Sequence, residues 1–273
     1  MSQGRRLSLR LLGTGSSGGV PRVGNNWGAC DPAEPRNRRL RCSALISLSE
    51  ADQTEPCTRI LIDTSPDMRE QLLSASVGHL DAVLFSHDHA DQTHGIDDVR
   101  PLVIAQRQTI PAYLDHATAQ SLIPKFRYCF EGLGGYPPIL DLQPELKAGR
   151  EIRIQGQGPY VRVLPLQQSH GRISSLGFRF GPIAYCNDVN GFPDETVEAL
   201  ADLDLLVIDA LRYNPHPSHF HVEEALEWIE RLKPKRAVLT NLHVDLDYTT
   251  LQSELPASVE VGYDGWSVEI DLD

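Results

Sequence analysis

A dense group of histidines and one aspartate directly after an apolar run constrains this chain more than any other feature. The apolar run covers residues 82–85, and its polar borders predict a buried strand. His87, His89, Asp91 and His94 follow it within eight residues. Such side chains are costly to bury without a partner, whereas a borderline cation such as zinc binds them directly. The pattern therefore predicts half of a metal site; the alternative interpretation is a solvated polar loop.

Length and composition are those of one globular unit. The chain has 273 residues, of which 41% are hydrophobic and 23% are charged, and these are ordinary values for a folded domain. We therefore expect a single domain over residues 1–273. No apolar run approaches the roughly 20 residues that a membrane-spanning helix needs, and residues 1–10 lack the apolar core of a signal peptide. Neither a membrane partner nor a secretory leader is expected.

Charge and cysteine usage narrow the partners and the compartment. The net charge of −12 disfavours a long nucleic acid or an acidic membrane as partner, because both are held mainly by basic surfaces. A small anionic substrate is compatible with it, since bound cations reverse the local field. The five cysteines are odd in number and form no Cys-x-x-Cys pair, which is typical of reduced thiols in the cytoplasm. A metal must then depend on histidine and aspartate.

Polar residues follow several of the predicted strands. The patterns predict strands at 7–12, 42–48, 59–62, 82–85, 109–114, 161–166, 176–180, 183–185, 205–208, 237–239, 259–261 and 267–270, and helices at 66–75, 117–126 and 222–232. His170, Asp188 and His243 each come soon after a predicted strand, as His87 and His89 do. Active sites of layered α/β folds gather at strand ends, so we expect these residues to meet. Several histidines with a carboxylate are typical of hydrolytic sites in which two cations about 3.5–4 Å apart share a hydroxide.

A faint internal repeat accompanies this pattern. Residues 60–85 and 183–208 have similar sequence patterns: each contains a predicted strand, a Pro-Asp pair, a helix and a second strand. The repeat suggests a core built from two related halves, with polar residues at the strand ends of both.

The sequence resembles the metallo-β-lactamase superfamily. The resemblance rests on His87-Asp-His89-Ala-Asp91, followed in order by His170, Asp188 and His243 along nearly the whole chain. Within the superfamily the chain is most similar to the cyclic-phosphate phosphodiesterases of the phosphonate-degradation pathway, and more distantly to transfer-RNA 3′-end-processing ribonucleases. The segments that carry this closer resemblance are Gly13-Thr-Gly, Gly19-Val-Pro21, Arg41-Cys-Ser43, Asn187-Asp188 and Ser218-His219-Phe-His221.

The resemblance implies a fold and a set of metal ligands. The fold class is α/β, as a four-layer αββα sandwich with the metals between the sheet edges. The implied ligands are His87, His89 and His170 for the first metal and Asp91 and His243 for the second, with Asp188 as the bridge. Two divalent ions are therefore expected, with zinc favoured over manganese.

One position departs from the superfamily pattern. The motif usually continues as Asp-His, but here Asp91 is followed by Gln92. An amide oxygen is a weaker zinc ligand than an imidazole, so either the second site is partly filled or His94 takes the missing role. His94 lies three residues after Asp91, which places both on one face if a helical turn begins there.

The resemblance also implies catalytic and substrate-binding residues. His219 aligns with the leaving-group histidine of the resembled phosphodiesterases, and Asp91 is assigned a catalytic role beside its role as a ligand. A helix follows His219 and His221, and the partial positive charge of its N-terminus would lower their pKa unless anions at the metal site oppose it. Arg172 and His221 are the expected substrate contacts, Arg172 through a phosphate.

These inferences lead to an expected function. The chain is expected to be a cytoplasmic metal-dependent phosphodiesterase of a small cyclic phosphate or nucleotide-like diester, with a metal-bound hydroxide attacking phosphorus. The alternatives are a hydrolase of another ester class, such as a thioester or lactone, and a metal- or nucleotide-binding protein with weakened catalysis. The sequence leaves open the physiological substrate, the metal and the oligomeric state, including a homodimer.

Overall fold

Two mixed β-sheets form the centre of the computed structural model, which describes residues 4–272. The strands of this part of the chain are β1 (Arg5–Gly13), β2 (Ser43–Glu50), β3 (Thr58–Ile62), β4 (Ala82–Leu84), β5 (Ile110–Tyr113), β6 (Leu140–Leu142), β7 (Ile152–Ile154), β8 (Val161–His170), β9 (Ile173–Phe180), β10 (Ile183–Cys186), β11 (Leu205–Asp209), β12 (Arg236–Thr240), β13 (Val259–Val261) and β14 (Ser267–Leu272). The helices are α1 (Met68–Ser74), α2 (Ala90–Thr93), α3 (Arg100–Gln106), α4 (His116–Lys125), α5 (Arg127–Glu131), α6 (Asp194–Ala199), α7 (Val222–Leu232) and α8 (Tyr248–Glu254), with short 3-10 turns at Pro35–Asn37 and Ile96–Val99.

Each sheet combines a parallel half with an antiparallel half. The first has the order β14-β1-β2-β3-β4-β5-β6, and the second has the order β13-β12-β11-β10-β9-β8-β7. Strands β3 to β6 run parallel, as do β10 to β13, and the other neighbours are antiparallel. The repeated units of the sequence are β3-α1-β4 and β10-α6-β11, each with parallel neighbouring strands. The repeat therefore corresponds to equivalent halves of the fold.

The alternation of apolar side chains along the central strands builds the layers. Ile60 and Ile62 of β3 pack between the sheets, whereas Leu61 points toward the helices on the outer face. In β11, Val207 faces the opposite sheet and Leu206 faces outward. Strands covered on both faces need apolar residues at every position, which is why these segments are continuous apolar runs.

Helices cover the outer face of each sheet. Met68 of α1 and Leu122 of α4 pack on the first sheet. Ala225 and Ile229 of α7 and Leu251 of α8 pack on the second. The order of layers is helix, sheet, sheet, helix, so the expected αββα sandwich is confirmed.

Most of the expected elements are present, and the differences concern short or polar segments. The helix expected at 222–232 and the strand expected at 259–261 have those bounds. Strand β8 continues to His170, four residues past its expected end, because it pairs with β9 along this polar segment. Strands β6 and β7 and helices α2, α3, α5 and α8 were not expected.

The polar strand ends lie at one edge of the sandwich. Strands β10, β11 and β12 are parallel, so the residues after them share an edge. Strand β8 is two antiparallel steps from β10 and therefore runs in the same direction, which brings its last residue, His170, to that edge. The residues after β4 meet them from the first sheet: His87 and His170 have ring centroids 5.1 Å apart.

Three further expectations concern membrane-spanning helices, the cysteines and the number of domains. None of the described helices is long and apolar enough to cross a membrane. All five cysteines are free and buried. The single domain over residues 1–273 stays a prediction, and its residues 1–3 and 273 lie outside the described residues.

Candidate metal centre

Three histidines converge where the two sheets meet. His87 follows β4, His89 precedes α2, and His170 ends β8. One ring nitrogen from each lies within 4.8 Å of the others. The separation between His89 Nδ1 and His170 Nε2 is 3.4 Å. The structure therefore brings together the three residues that the resemblance assigns to one metal.

The hydrogen bonds of two of these rings leave a lone pair directed into the cluster. The Ser86 hydroxyl donates to Asp63 Oδ2 at 2.8 Å, so it accepts from His87 Nδ1 at 3.0 Å. His170 Nδ1 donates to the carbonyl of Ser218 at 2.7 Å. The protonated nitrogen is thus Nδ1 in both rings, as the partners dictate, and Nε2 carries the lone pair.

An unpartnered buried atom and the spacing of the nitrogens both fit a metal ion. His87 Nε2 is buried without a hydrogen-bond partner, which is costly unless a ligand satisfies it. Two nitrogens bound tetrahedrally to zinc at their usual bond length are about 3.3 Å apart, close to the 3.4 Å between His89 and His170. Zinc or a similar divalent cation therefore fits these residues.

Electrostatics keep two of the three rings, His87 and His170, neutral before metal binds. Burial and the neighbouring histidines hold the pKa of His87 well below its usual range. Burial, and after it the nearby His219, lower the pKa of His170 to about 4. At neutral pH both rings are therefore uncharged, which is the form that binds a metal.

Two carboxylates border the cluster. Asp188 Oδ1 lies 4.0 Å from His170 Nε2, and Asp91 lines the same pocket. Burial and the neighbouring Asp91 raise the pKa of Asp188 well above its usual value. A bound cation would relieve this cost of burying a carboxylate.

His219 lies next to the cluster and is held by an aspartate. Its Nδ1 is 2.7 Å from Asp209 Oδ2, and its ring centroid is 4.7 Å from that of His170. Burial lowers the pKa of His219, but Asp209, followed by Asp188 and Asp91, more than offsets burial and raises that pKa to about 9. The imidazolium is therefore the form present at neutral pH, despite the helix N-terminus that follows.

The pocket in front of these residues is polar. It encloses about 300 Å³, and its lining residues are Ser16, Ser17, Arg22, His89, Asp91, His170, Asp188, Leu211, Arg212, His216, Ser218, His219, Asn241 and His243. Leu211 is the one apolar side chain among them. The Ser16 hydroxyl is buried without a hydrogen-bond partner. The glycine loop at residues 13–19 therefore borders the site through its two serines.

Sequence reasoning missed two arginines and a histidine in this pocket. Arg22 follows the Gly19-Val-Pro21 segment, which had been noted only as part of the resemblance. Arg212 follows β11, and its guanidinium donates to the carbonyls of Asn214 at 3.0 Å and Pro215 at 2.7 Å. His216, in the loop after β11, lines the pocket as well. Its position in a loop after a strand end was the available signal.

The structure does not bring His94 to the site. His94 closes the single turn of α2, where its backbone N–H donates to the carbonyl of Ala90, but its side chain is not part of the pocket lining. The His94 side chain is exposed, and its ring packs edge-on against Phe126 with centroids 5.6 Å apart.

The two expected substrate contacts also lie elsewhere. Arg172 is exposed in the turn between β8 and β9 and is not part of the pocket lining. His221 precedes the first turn of α7, where its Nδ1 is 2.6 Å from Glu224 and its backbone N–H donates to the same carboxylate at 3.2 Å. Arg172 lies in the two-residue turn that joins β8 to β9, and helix capping engages His221.

Comparison with known proteins identifies the family to which the chain is similar. A family model described as a beta-lactamase superfamily domain matches residues 58–241. A curated relative, the octanoyltransferase of Porphyromonas gingivalis, is 35% identical over 266 residues, which cover 96% of this chain and 51% of that protein. The chain therefore spans about half the length of the curated relative that it matches.

Solved structures agree with the fold. The crystal structure of a new diphosphatase from the PhnP family is 33% identical, covers 98% of each chain and has a TM-score of 0.86. Zinc-bound PqqB from Methylobacterium extorquens is 15% identical, with a TM-score of 0.71 over 96% of this chain and 100% of that one. The likeness to PqqB shows the fold alone.

Proposed function

We propose that this chain, which belongs to the beta-lactamase superfamily, is a metal-dependent phosphodiesterase of small anionic substrates. Its metallo-β-lactamase fold is that of hydrolases. The observation that carries the proposal is the convergence of His87, His89 and His170 beside His219, whose Nδ1 lies 2.7 Å from Asp209. Substrates of nucleotide-like size, including diesters and phosphoanhydrides, are the class that we infer.

The histidine cluster is the site for a divalent cation. His87 and His170 offer Nε2 and His89 offers Nδ1, and Asp188 Oδ1 lies at the border of the cluster. When bound, the cation supplies Lewis-acid chemistry, because it acidifies water and stabilises negative charge on phosphoryl oxygens. Three imidazoles suit zinc better than manganese, so zinc is the metal that we propose.

His219 is the general acid of the proposed reaction. Although burial lowers the pKa of His219, Asp209 raises it and so favours the imidazolium, and the His219 ring lines the pocket next to His170. Asp209 accepts a hydrogen bond from Nδ1 and so directs Nε2 away from itself. Nε2 can then donate its proton to the alkoxide that leaves from phosphorus. Asp209 is a positioning residue for this step.

The polar lining favours a phosphate ester over an acyl group. Arg22 and Arg212 bring positive charge to the wall of the pocket, and Arg212 is held by loop carbonyls. A fatty acyl chain would need an apolar channel, but Leu211 is the one apolar lining residue. The similarity to a diphosphatase supports chemistry at phosphorus. Octanoyl transfer, the activity in the name of the Porphyromonas gingivalis relative, is therefore not proposed.

The compartment and partners follow from the same features. We propose a cytoplasmic location, because the five cysteines are free thiols. The net charge of −12 favours a small anion as substrate over a long nucleic acid.

The test compares two ester classes on the zinc-loaded protein. Bis(p-nitrophenyl) phosphate should be hydrolysed, and an octanoyl thioester should not be hydrolysed above the rate of the His170→Ala variant. His116→Ala, an exposed histidine away from the cluster, is the matched control and should retain full turnover. Thioester hydrolysis with no phosphodiester hydrolysis would overturn the proposal.

A further inference from the structure

We propose that the second metal position of the superfamily is filled here by protein groups, Gln92 and Arg22, so that the centre holds one metal. This inference rests on the proposed function, because it concerns the same site. It departs from the resemblance, which implies a second cation between Asp91, Asp188 and His243. The residues of this chain do not fit that second cation.

The two carboxylates implied for the second metal, those of Asp91 and Asp188, face the side-chain amide of Gln92. Gln92 is fully buried, and its Nε2 lies 2.9 Å from Asp188 Oδ2 and 3.4 Å from Asp91 Oδ2. Asn187 Nδ2 donates to the same oxygen of Asp188 at 2.5 Å. The reversed amide would place Gln92 Oε1 against a carboxylate, so the NH2 group must face the acids. An NH2 group thus lies between the two carboxylates where a cation would bind.

The imidazole of His243, the ligand implied for the second metal, is also hydrogen-bonded to other protein groups. A guanidinium nitrogen of Arg22 contacts His243 Nε2 directly. On the other side of the ring, His243 Nδ1 lies 3.0 Å from Asp245 Oδ2. Because a guanidinium can only donate, His243 Nε2 accepts from it and has no lone pair left for a metal.

The backbone makes room for this arginine. A Cβ atom on Gly18 would lie 3.1 Å from Arg22 Nε and 3.2 Å from Arg22 Cγ. The glycine loop therefore lets the side chain of Arg22 pass closely over it toward His243.

Asp91 and His243, the ligands that the resemblance implies for the second metal, do not meet in a second cluster. In the described part of the chain, neither Asp91 nor His243 belongs to a group of three donor atoms that all lie within 4.8 Å of one another. Asp188 Oδ1 faces His170 and His219 at 4.0 and 3.9 Å and forms a further donor group with them, but that group shares His170 with the first metal cluster. Arg22 brings a permanent positive charge to this side of the pocket, where a second cation would otherwise stabilise phosphoryl oxygens.

Metal counting tests the inference without reference to any substrate. After equilibrium dialysis against zinc, elemental analysis should find one zinc per chain, which His89→Ala removes and His243→Ala leaves in place. The double variant Gln92→His with Arg22→Ala restores an imidazole and removes the competing guanidinium, and it should bind two. Gln53→His with Arg172→Ala, both at exposed positions, is the matched control and should stay at one.

Two results would overturn the inference. One is two zinc ions in the wild-type protein, with one of them lost in His243→Ala. The other is a folded double variant that stays at one zinc. If circular dichroism shows that the double variant is unfolded, the comparison of wild type with His243→Ala decides alone. A protein with one zinc that fails to hydrolyse phosphodiesters would refute the proposed function and leave this inference standing.

The role of Arg22 in turnover is tested separately, by measuring kcat. Arg22→Ala should lower kcat toward a phosphodiester on the order of 10²–10³-fold, the usual loss for one group that stabilises transition-state charge, while zinc stays at one per chain. Arg22→Lys keeps the charge and should recover part of the rate. An unchanged kcat in Arg22→Ala would contradict a role for this charge in the reaction.

Discussion

At the scale of single residues, a carboxylate rather than the adjacent helix decides the protonation of His219. A helix N-terminus disfavours a nearby imidazolium by about 0.3–1 kcal/mol. A negative charge about 4 Å away contributes about 4 kcal/mol in surroundings of intermediate polarity, and Asp209 Oδ2 lies 2.7 Å from His219 Nδ1. Although burial lowers the pKa of His219, the carboxylate outweighs burial and the helix end, and that pKa rises to about 9.

Replacing Asp209 by Asn tests this balance. The imidazolium of His219 is available below its pKa, and catalysis that uses it is lost as the pH rises through that pKa. Removing the charge of Asp209 lowers the pKa, so the alkaline limb of kcat/KM should move to lower pH by about one unit or more. The measurement is a pH profile with an alkyl phosphodiester, whose leaving group needs a proton.

Two further variants serve as controls for the pH profile of kcat/KM. His219→Ala should remove the alkaline limb together with most of the activity toward the alkyl substrate. Asp202→Asn, at an exposed position, should leave the limb unchanged. If Asp209→Asn and the wild-type protein share one alkaline limb, then Asp209 does not set the protonation of His219.

Sequence reasoning predicted the histidine cluster better than its surroundings. His87 and His89 are close in the chain and directly follow an apolar run, so their types and spacing point to a metal. Arg22 gave no comparable signal, because nothing near it in the chain shows that folding carries it to His243. His94 was misplaced because its ring packs against Phe126 outside the pocket, although its backbone belongs to the helical turn after Asp91.

At the scale of elements, the ends of β3 and β4 form a hydrogen-bonded relay behind the cluster. Asp63 follows β3 and is fully buried, and burial raises its pKa to about 7 despite the hydrogen bonds from Ser86. Its carboxylate accepts from the Ser86 backbone and hydroxyl, both at 2.8 Å. The hydroxyl in turn accepts from His87 Nδ1, which fixes the orientation of that ring.

Replacing Ser86 by Ala tests the relay. Without the hydroxyl, His87 loses the partner that fixes its tautomer, and zinc affinity should fall about 10–100-fold. The dissociation constant can be measured by competition with a chromophoric chelator. Ser49→Ala is the control, since Ser49 is also a buried serine but lies in β2, outside the pocket lining. Equal zinc affinity in Ser86→Ala and the wild-type protein would contradict the relay.

Elements that pair through the backbone were harder to predict than elements with apolar patterns. Strand β11 is apolar up to its last residue, Asp209, because both of its faces are covered, and it was predicted nearly to the residue. The polar end of β8, residues 167–170, reads as a loop, yet its backbone pairs with β9. Pairing of this kind depends on a partner strand, which the local sequence does not show.

At the scale of the whole molecule, two equivalent halves bring their strand ends to one edge. Asp63 directly follows β3 and Asp188 lies two residues after β10, and both have left-handed backbones, with φ of 61° and 52°. Aspartate tolerates this conformation better than most residues. Asp63 orients the ligand His87 through Ser86, and Asp188 lines the pocket itself. Each half of the fold therefore contributes an aspartate to the site.

The charge of the whole molecule differs from that of its pocket. The chain carries a net charge of −12, but Arg22, Arg212 and the His219 imidazolium all line the candidate site. An anionic substrate therefore meets local positive charge in an acidic protein, and a bound cation adds to it.

The most direct test of the central claim is a zinc titration of the chelator-treated protein, followed by turnover of bis(p-nitrophenyl) phosphate. Metal bound at His87, His89 and His170 is predicted to be required for hydrolysis. The rate should therefore be at background without zinc, rise in proportion to bound zinc, and stay at background in His170→Ala. A metal-free protein that hydrolyses the diester as fast as the zinc-loaded protein would contradict the claim.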